Sequence, residues 1–234
     1  MAGSLPGDVP DPSRRRLLIG AGAAVLLLAS GMTGLATGAM DPQRMRATMT
    51  ERYGPQGTQV LEAWLDLLRE LENRDIAVQL KGVNDFFNRR VRWLEDSRIW
   101  GEEDYWATPL ETLGRGAGDC EDYSIAKYQT LKKLGVPGER LRMIYVRARL
   151  GRGSVTQAHM VLGYYATPGA EPLVLDNLLP TILPASERDD LSPVFSFNSD
   201  GLWAGGASQS LAVPTQRLSR WRNVLLRMSA EGFL

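Results

Sequence analysis

The chain has 234 residues, 44% of them hydrophobic, with 27 basic and 27 acidic side chains and a formal net charge of zero. That length suits one well-packed domain plus a short extra segment, and the lack of a basic run beyond the N-terminus argues against nucleic acid as a partner. A single cysteine, Cys120, excludes an internal disulfide, and a single histidine, His159, means that any cysteine–histidine chemistry uses this pair.

Residues 1–13 are rich in Pro, Gly and Asp and read as unstructured. From Ser13 to Met40 a basic cluster, an apolar run and a small-residue stretch follow one another, the order of a secretory signal. Ser13-Arg14-Arg15-Arg16-Leu17-Leu18 resembles the twin-arginine export address, and Gly20, Gly22, Gly31 and Gly34 dilute the apolar run as that route requires. Residues 1–39 are therefore expected to be an export signal peptide cleaved near residue 39. The rival is an uncleaved anchor, because Leu17 to Ala36 is just long enough to span a bilayer. Residues 40–234 form the expected domain.

Val60, Leu61, Trp64, Leu65, Leu68 and Leu71 recur at helical spacing until Asn73 and Arg74 interrupt them. Leu80, Val83, Phe87 and Val91 form a second helical stripe. The stretch from Trp93 to Pro109 carries Trp93, Trp100, Tyr105 and Trp106, which either line a cleft or cap the core.

Next comes GRGAGDCEDYSIAKYQTLKKL, from Gly114 to Leu134. Three glycines give an adaptable backbone. Ile125, Ala126, Tyr128, Leu131 and Leu134 then predict a helix that Gly135 and Pro137 stop. Asp119 is placed as an N-cap, which sets Cys120 in the first helical turn, where the unpaired N–H groups and the helix dipole favour a thiolate. A small buried hydrophobe is the usual fate of a lone cysteine. Here the neighbours Asp119, Glu121 and Asp122 make the surroundings polar instead.

Beyond Pro137 the period changes. Leu141 to Arg147 alternates like a half-buried strand, Ala158 to Tyr165 is a second strand, and Pro172 to Asn177 a third. The short connector between the last two predicts antiparallel neighbours. Pro193 to Asn198 reads as another strand, and the tail RLSRWRNVLLRM as strand or short helix. Helices first and a mostly antiparallel sheet afterwards make an α+β chain. Antiparallel neighbours can set His159 and Asp176 side by side. A carboxylate on one imidazole nitrogen fixes the tautomer and leaves the other to face Cys120, the arrangement of an activated sulfur nucleophile. Taken singly, His159 is a core histidine and Asp176 a turn residue.

DYWATPLETLGRGAGDCEDYSIAKYQTLKKLGVP, then AHMVLGYY, then EPLVLDNL resemble the bacterial transglutaminase-like cysteine proteinases over roughly residues 80–180. The resemblance implies a papain-like or transglutaminase-like α+β fold, with Cys120 as nucleophile, His159 as general base and acid, and Asp176 as its orienting partner. It also implies a calcium-dependent periplasmic endopeptidase that cleaves a large cell-surface adhesin near its N-terminus. The implied regulator is an inner-membrane cyclic-di-GMP receptor of the LapD type, which sequesters the protease.

By the same resemblance Asp119 and Glu121 match calcium (Ca2+) ligands, with Asp122 as a third. The physical reason is that carboxylates beside Cys120 oppose its thiolate and a hard divalent cation offsets them. Without a metal, Asp119 is only a cap and Glu121 and Asp122 favour the helix dipole. The backbone N–H of Cys120 is a candidate oxyanion donor. Two other outcomes of the same architecture are transfer of the acyl group to an amine, and a non-enzymatic binding module.

Overall fold

The computed structural model describes residues 40–151, 153–205 and 210–234. The expected signal peptide and its rival membrane anchor lie outside these residues. Among the described residues, no helix is long and apolar enough to cross a membrane.

The first helix, α1 (Pro42–Leu71), starts where Asp41 accepts the N–H groups of Gln43 and Arg44 and Pro42 presets the first turn. It breaks at Gly54, whose φ of 62° leaves the helical region, immediately before Pro55. Met45, Met49, Leu61, Trp64, Leu65 and Leu71 form its buried face. Asn73, at φ 57°, turns the chain into α2 (Ile76–Arg90), which buries Leu80, Val83 and Phe87 as their spacing predicts.

After β1 (Arg92–Trp93) and the short α3 (Asp96–Ile99) comes α4 (Pro109–Arg115), a helix the sequence reading leaves unassigned. A reciprocal cap between Thr108 and Glu111 starts it, an arrangement that contributes about 1 kcal/mol, and Gly116 ends it in the left-handed region. Gly114 therefore belongs to a helix instead of an adaptable loop, and the ring of Tyr53 leaves no room for a side chain on it. β2 (Ala117–Gly118) pairs in parallel with β1 and feeds directly into α5 (Cys120–Lys133).

α5 is the axis of the fold. Every residue from Glu121 to Leu131 is buried, because α2, α4 and the strands β3 and β4 pack against it and Trp64 of α1 reaches its Thr130. Burial on all sides explains why its apolar pattern is diffuse in the sequence.

The sheet contains β3 (Leu141–Arg149), β4 (Thr156–Tyr164), β5 (Leu173–Leu175), β6 (Leu183–Pro184), β7 (Leu191–Phe197) and β8 (Leu202–Ala204). Its order is β6-β5-β4-β3-β7-β8, antiparallel throughout. The α+β expectation, with helices packed on an antiparallel sheet, holds. One face, with Met143, Met160, Leu162 and Phe197, joins the main helical core. The other carries a smaller cluster of Ile144, Val146, Ala148, Val161 and Val174. β3 is thus covered on both faces, not half-buried.

The ambiguous tail is helical, with α6 (Pro214–Arg217) and then α7 (Ser219–Ala230), whose Trp221, Val224 and Met228 complete the core. The tryptophan-rich loop divides its work. Trp106 stacks on Phe197 in the core at 5.6 Å, whereas Trp93 stays half exposed.

Candidate active site

Cys120 is the first residue of α5, so its own N–H has no helical acceptor behind it. Asp119 takes the N-cap position as expected, but its side chain makes no capping bond. The thiol donates to Glu121 Oε2 at 2.8 Å. Burial pushes the thiol pKa up, Glu121 and Asp119 add to it, and the backbone N–H of Met160 favours the thiolate. The helix-tip effect expected from the sequence is therefore outweighed by burial and by the adjoining carboxylates.

One turn further on, Ser124 Oγ donates to Met160 O at 3.1 Å, which fastens α5 to β4 beside His159. His159 is 2% exposed. Its Nε2 meets Asp176 Oδ1 at 2.8 Å. The last β4–β5 pair is Leu162 with Leu175, so the two side chains meet diagonally past the end of the ladder instead of directly across it. The structure thus joins His159 to Asp176 and brings Cys120 to the neighbouring residue of the same strand. The thiol's own bond goes to Glu121 and not to the imidazole.

Asp176 is the most heavily held of these groups. Oδ1 also accepts the N–H of Leu178 at 3.0 Å, and Oδ2 accepts Arg188 Nη2 at 2.7 Å. Burial pushes its carboxyl up, but His159, Leu178 and Arg188 outweigh that and hold it at about 2. Its backbone carbonyl accepts Asn88 Nδ2 (2.8 Å) from α2 and Lys127 Nζ (3.1 Å) from α5. Lys127 is itself buried, and burial lowers its ammonium to about 7.

The acidic residues around Cys120 divide into two groups. Glu121 sits with Asp119 and the thiol, while Asp119 and Asp122 converge with Asp96, which the sequence reading does not single out. In the second group one oxygen from each carboxylate lies within 4.8 Å of the others. The Tyr105 and Ala107 N–H groups fix Asp96 Oδ2 and Asp122 Oδ1, at 2.6 and 2.7 Å. Asp96 Oδ1, Asp119 Oδ1 and Asp122 Oδ2 are buried and have no hydrogen-bond partner among the described residues. Gly118 makes room for the cluster, since a Cβ there would lie 2.8 Å from Asp122 Oδ2. Burial and mutual repulsion push Asp96 up to about 6, Asp119 to about 10 and Asp122 well above the usual range. Three unpartnered carboxylate oxygens fit a hard divalent cation such as calcium.

The family description "bacterial transglutaminase-like cysteine proteinase BTLCP" matches residues 67–190. Among solved structures, EGTA-treated LapG of Legionella pneumophila is 36% identical with a TM-score of 0.71, over 82% of this chain and 99% of that one. Calcium-bound LapG of the same organism is 37% identical with a TM-score of 0.68, over 81% and 99%. No curated protein matches the chain. Family match and structural likeness agree in indicating cysteine proteinase activity, and the chain belongs to the bacterial transglutaminase-like cysteine proteinases.

Proposed function

We propose that the protein is a calcium-dependent cysteine endopeptidase, exported to the periplasm, that cuts a large cell-surface adhesin near its N-terminus. The observation that carries the catalytic part is the 2.8 Å contact of His159 Nε2 with Asp176 Oδ1, on the strand that also receives the Cys120 thiol. With Nε2 engaged, Nδ1 is the nitrogen that exchanges a proton with the sulfur. Asp176 holds the ring in that tautomer and supports the imidazolium.

Cys120 Sγ attacks the scissile carbonyl as its proton passes to the ring. The Cys120 N–H at the helix tip stabilises the oxyanion. The ring then protonates the leaving amine, and water, deprotonated by His159, releases the acyl group and restores the thiol.

Asp96, Asp119 and Asp122 would hold the cation, and Glu121 stands beside them with Asp119 and the thiol. A bound divalent cation supplies positive charge that offsets the carboxylates opposing the Cys120 thiolate. Calcium-bound and EGTA-treated forms of LapG support this reading. The adhesin substrate, the role in biofilm release, the periplasmic site of action and sequestration by a LapD-like cyclic-di-GMP receptor rest on the family resemblance.

The test incubates the protein with N-terminal fragments of its own organism's large surface adhesins, in calcium and in EGTA. Cleavage in calcium alone, lost in Cys120→Ala, is the expected result. Undiminished cleavage in EGTA would remove the metal from the proposal, and no cleavage of any fragment would remove the substrate class.

A further inference from the structure

Arg188 lies outside every sequence motif and touches neither the sulfur nor the ring. Its side chain is 2% exposed, and a short turn at Ala185–Glu187 precedes it. Nη2 is shared between Asp176 Oδ2 at 2.7 Å and Asp190 Oδ2 at 2.8 Å, while Nε donates to Asp190 Oδ1 at 2.8 Å. Asp176 therefore stands between an imidazole on one oxygen and a guanidinium on the other. Asp190 grips the guanidinium through two of its nitrogens, which fixes its plane.

We propose that Arg188 is a positioning residue that sets both the orientation of the Asp176 carboxylate and the basicity of His159. This deepens the triad reading above and rests on it. Two physical effects follow from the geometry. A carboxylate pinned at Oδ2 cannot swing its Oδ1 away from Nε2, so the ring is held in a single pose. The guanidinium also opposes imidazolium formation across a buried carboxylate, where charges are weakly screened. Asp190 moderates that effect by drawing guanidinium charge toward itself.

Charged and titratable groups reach this assembly from α5, and Arg142 of β3 and Tyr165 line the same cavity as Arg188. Lys127 reaches the Asp176 carbonyl, and Cys120 sits beside the β4 backbone. Asn88, from α2, is neutral.

The two acidic partners of Arg188 give the proposal opposed signs to test. In Arg188→Gln the carboxylate serves the ring alone, so imidazole protonation becomes easier. In Asp190→Asn the guanidinium turns wholly to Asp176, so it becomes harder. His159 is the only histidine, so its ring gives a single NMR titration in the full chain without assignment. Arg188→Gln is expected to raise the titration midpoint by about one pH unit and to lower kcat roughly tenfold with little change in KM. Asp190→Asn is expected to move the midpoint down, and Arg188→Lys to recover part of the lost kcat.

Folded Arg188→Gln and Asp190→Asn proteins whose imidazole titrates as in the wild type would overturn the proposal. If Arg188→Gln does not fold, Asp190→Asn decides alone, since its side chain is partly exposed and bonds Arg188 and no member of the triad. The NMR readout needs no turnover, so failure of the protease reading and failure of this proposal are separately visible.

Discussion

The Cys120 thiol gives its hydrogen bond to the carboxylate of the next residue, Glu121 Oε2, at 2.8 Å. A thiol that donates to a carboxylate is held as a thiol, and burial adds to the effect. The same structure places His159, the proposed imidazole partner, on a strand fastened to α5 one turn later. The proposed nucleophile thus lies beside the strand of its proposed base but is restrained by its own neighbour.

Glu121→Gln removes the restraining charge. In EGTA its Cys120 should alkylate about tenfold faster than the wild type at neutral pH, on the scale of one unit of thiol pKa. Iodoacetamide labelling followed by intact mass measures this. An unchanged rate would mean that burial and Asp119, not Glu121, restrain the thiol.

Asp96 is the least expected member of the acidic cluster, 23 positions before Asp119 and joined to it only by the fold. Asp96→Asn should weaken calcium binding at least tenfold and cancel most of the thermal stabilisation that calcium confers. A ligand at about 100 times its dissociation constant contributes roughly 2.7 kcal/mol. Titration calorimetry and melting curves with and without calcium test both statements.

The same cluster sets a pH dependence in EGTA. The folded-state carboxyls of Asp96 and Asp119 lie above their ordinary values, at about 6 and about 10. Their contribution to stability is complete below about pH 4 and is lost as pH rises through the folded values. In EGTA the protein should therefore resist urea better at pH 5 than at pH 8, and saturating calcium should flatten the difference.

Lys127 has the opposite sign. Its ammonium titrates at about 7 in the fold, against about 10.4 when unfolded. Its contribution is complete above the unfolded value and is lost as pH falls through 7. Lys127→Met should be more stable than the wild type at pH 6 and lose that advantage near pH 10. It should also lower kcat, because the Asp176 carbonyl loses a donor. Urea unfolding at the two pH values separates the stability effect from the catalytic one.

Legibility in the sequence follows how local each signal is. Cys120 at a helix tip, His159 in an apolar strand and Asp176 at a strand end were each readable, because turn and periodicity signals bracket them within a few residues. The helix α5 was readable from Ile125 to Leu134, with Gly135 at φ 87° as its stop. Arg188 and Lys127 were not. Arg188 sits in a run of charges that reads as solvated surface, and Lys127 reads as the polar face of an amphipathic helix, although tertiary packing buries both. Asp96 escaped for another reason. Its place in the cluster depends on the Tyr105 N–H that holds it and on Asp119 and Asp122 arriving beside it, and no local pattern encodes that. The thiol's preference for Glu121 over the imidazole likewise depends on side-chain placement, which spacing along the chain does not specify.

The central claim is that His159 serves the sulfur of Cys120, and the rate of Cys120 alkylation against pH in saturating calcium tests it most directly. The wild type should react readily down to mildly acidic pH, while His159→Ala should react only as pH climbs toward the ordinary range of a thiol. Identical profiles for the two proteins would contradict the claim.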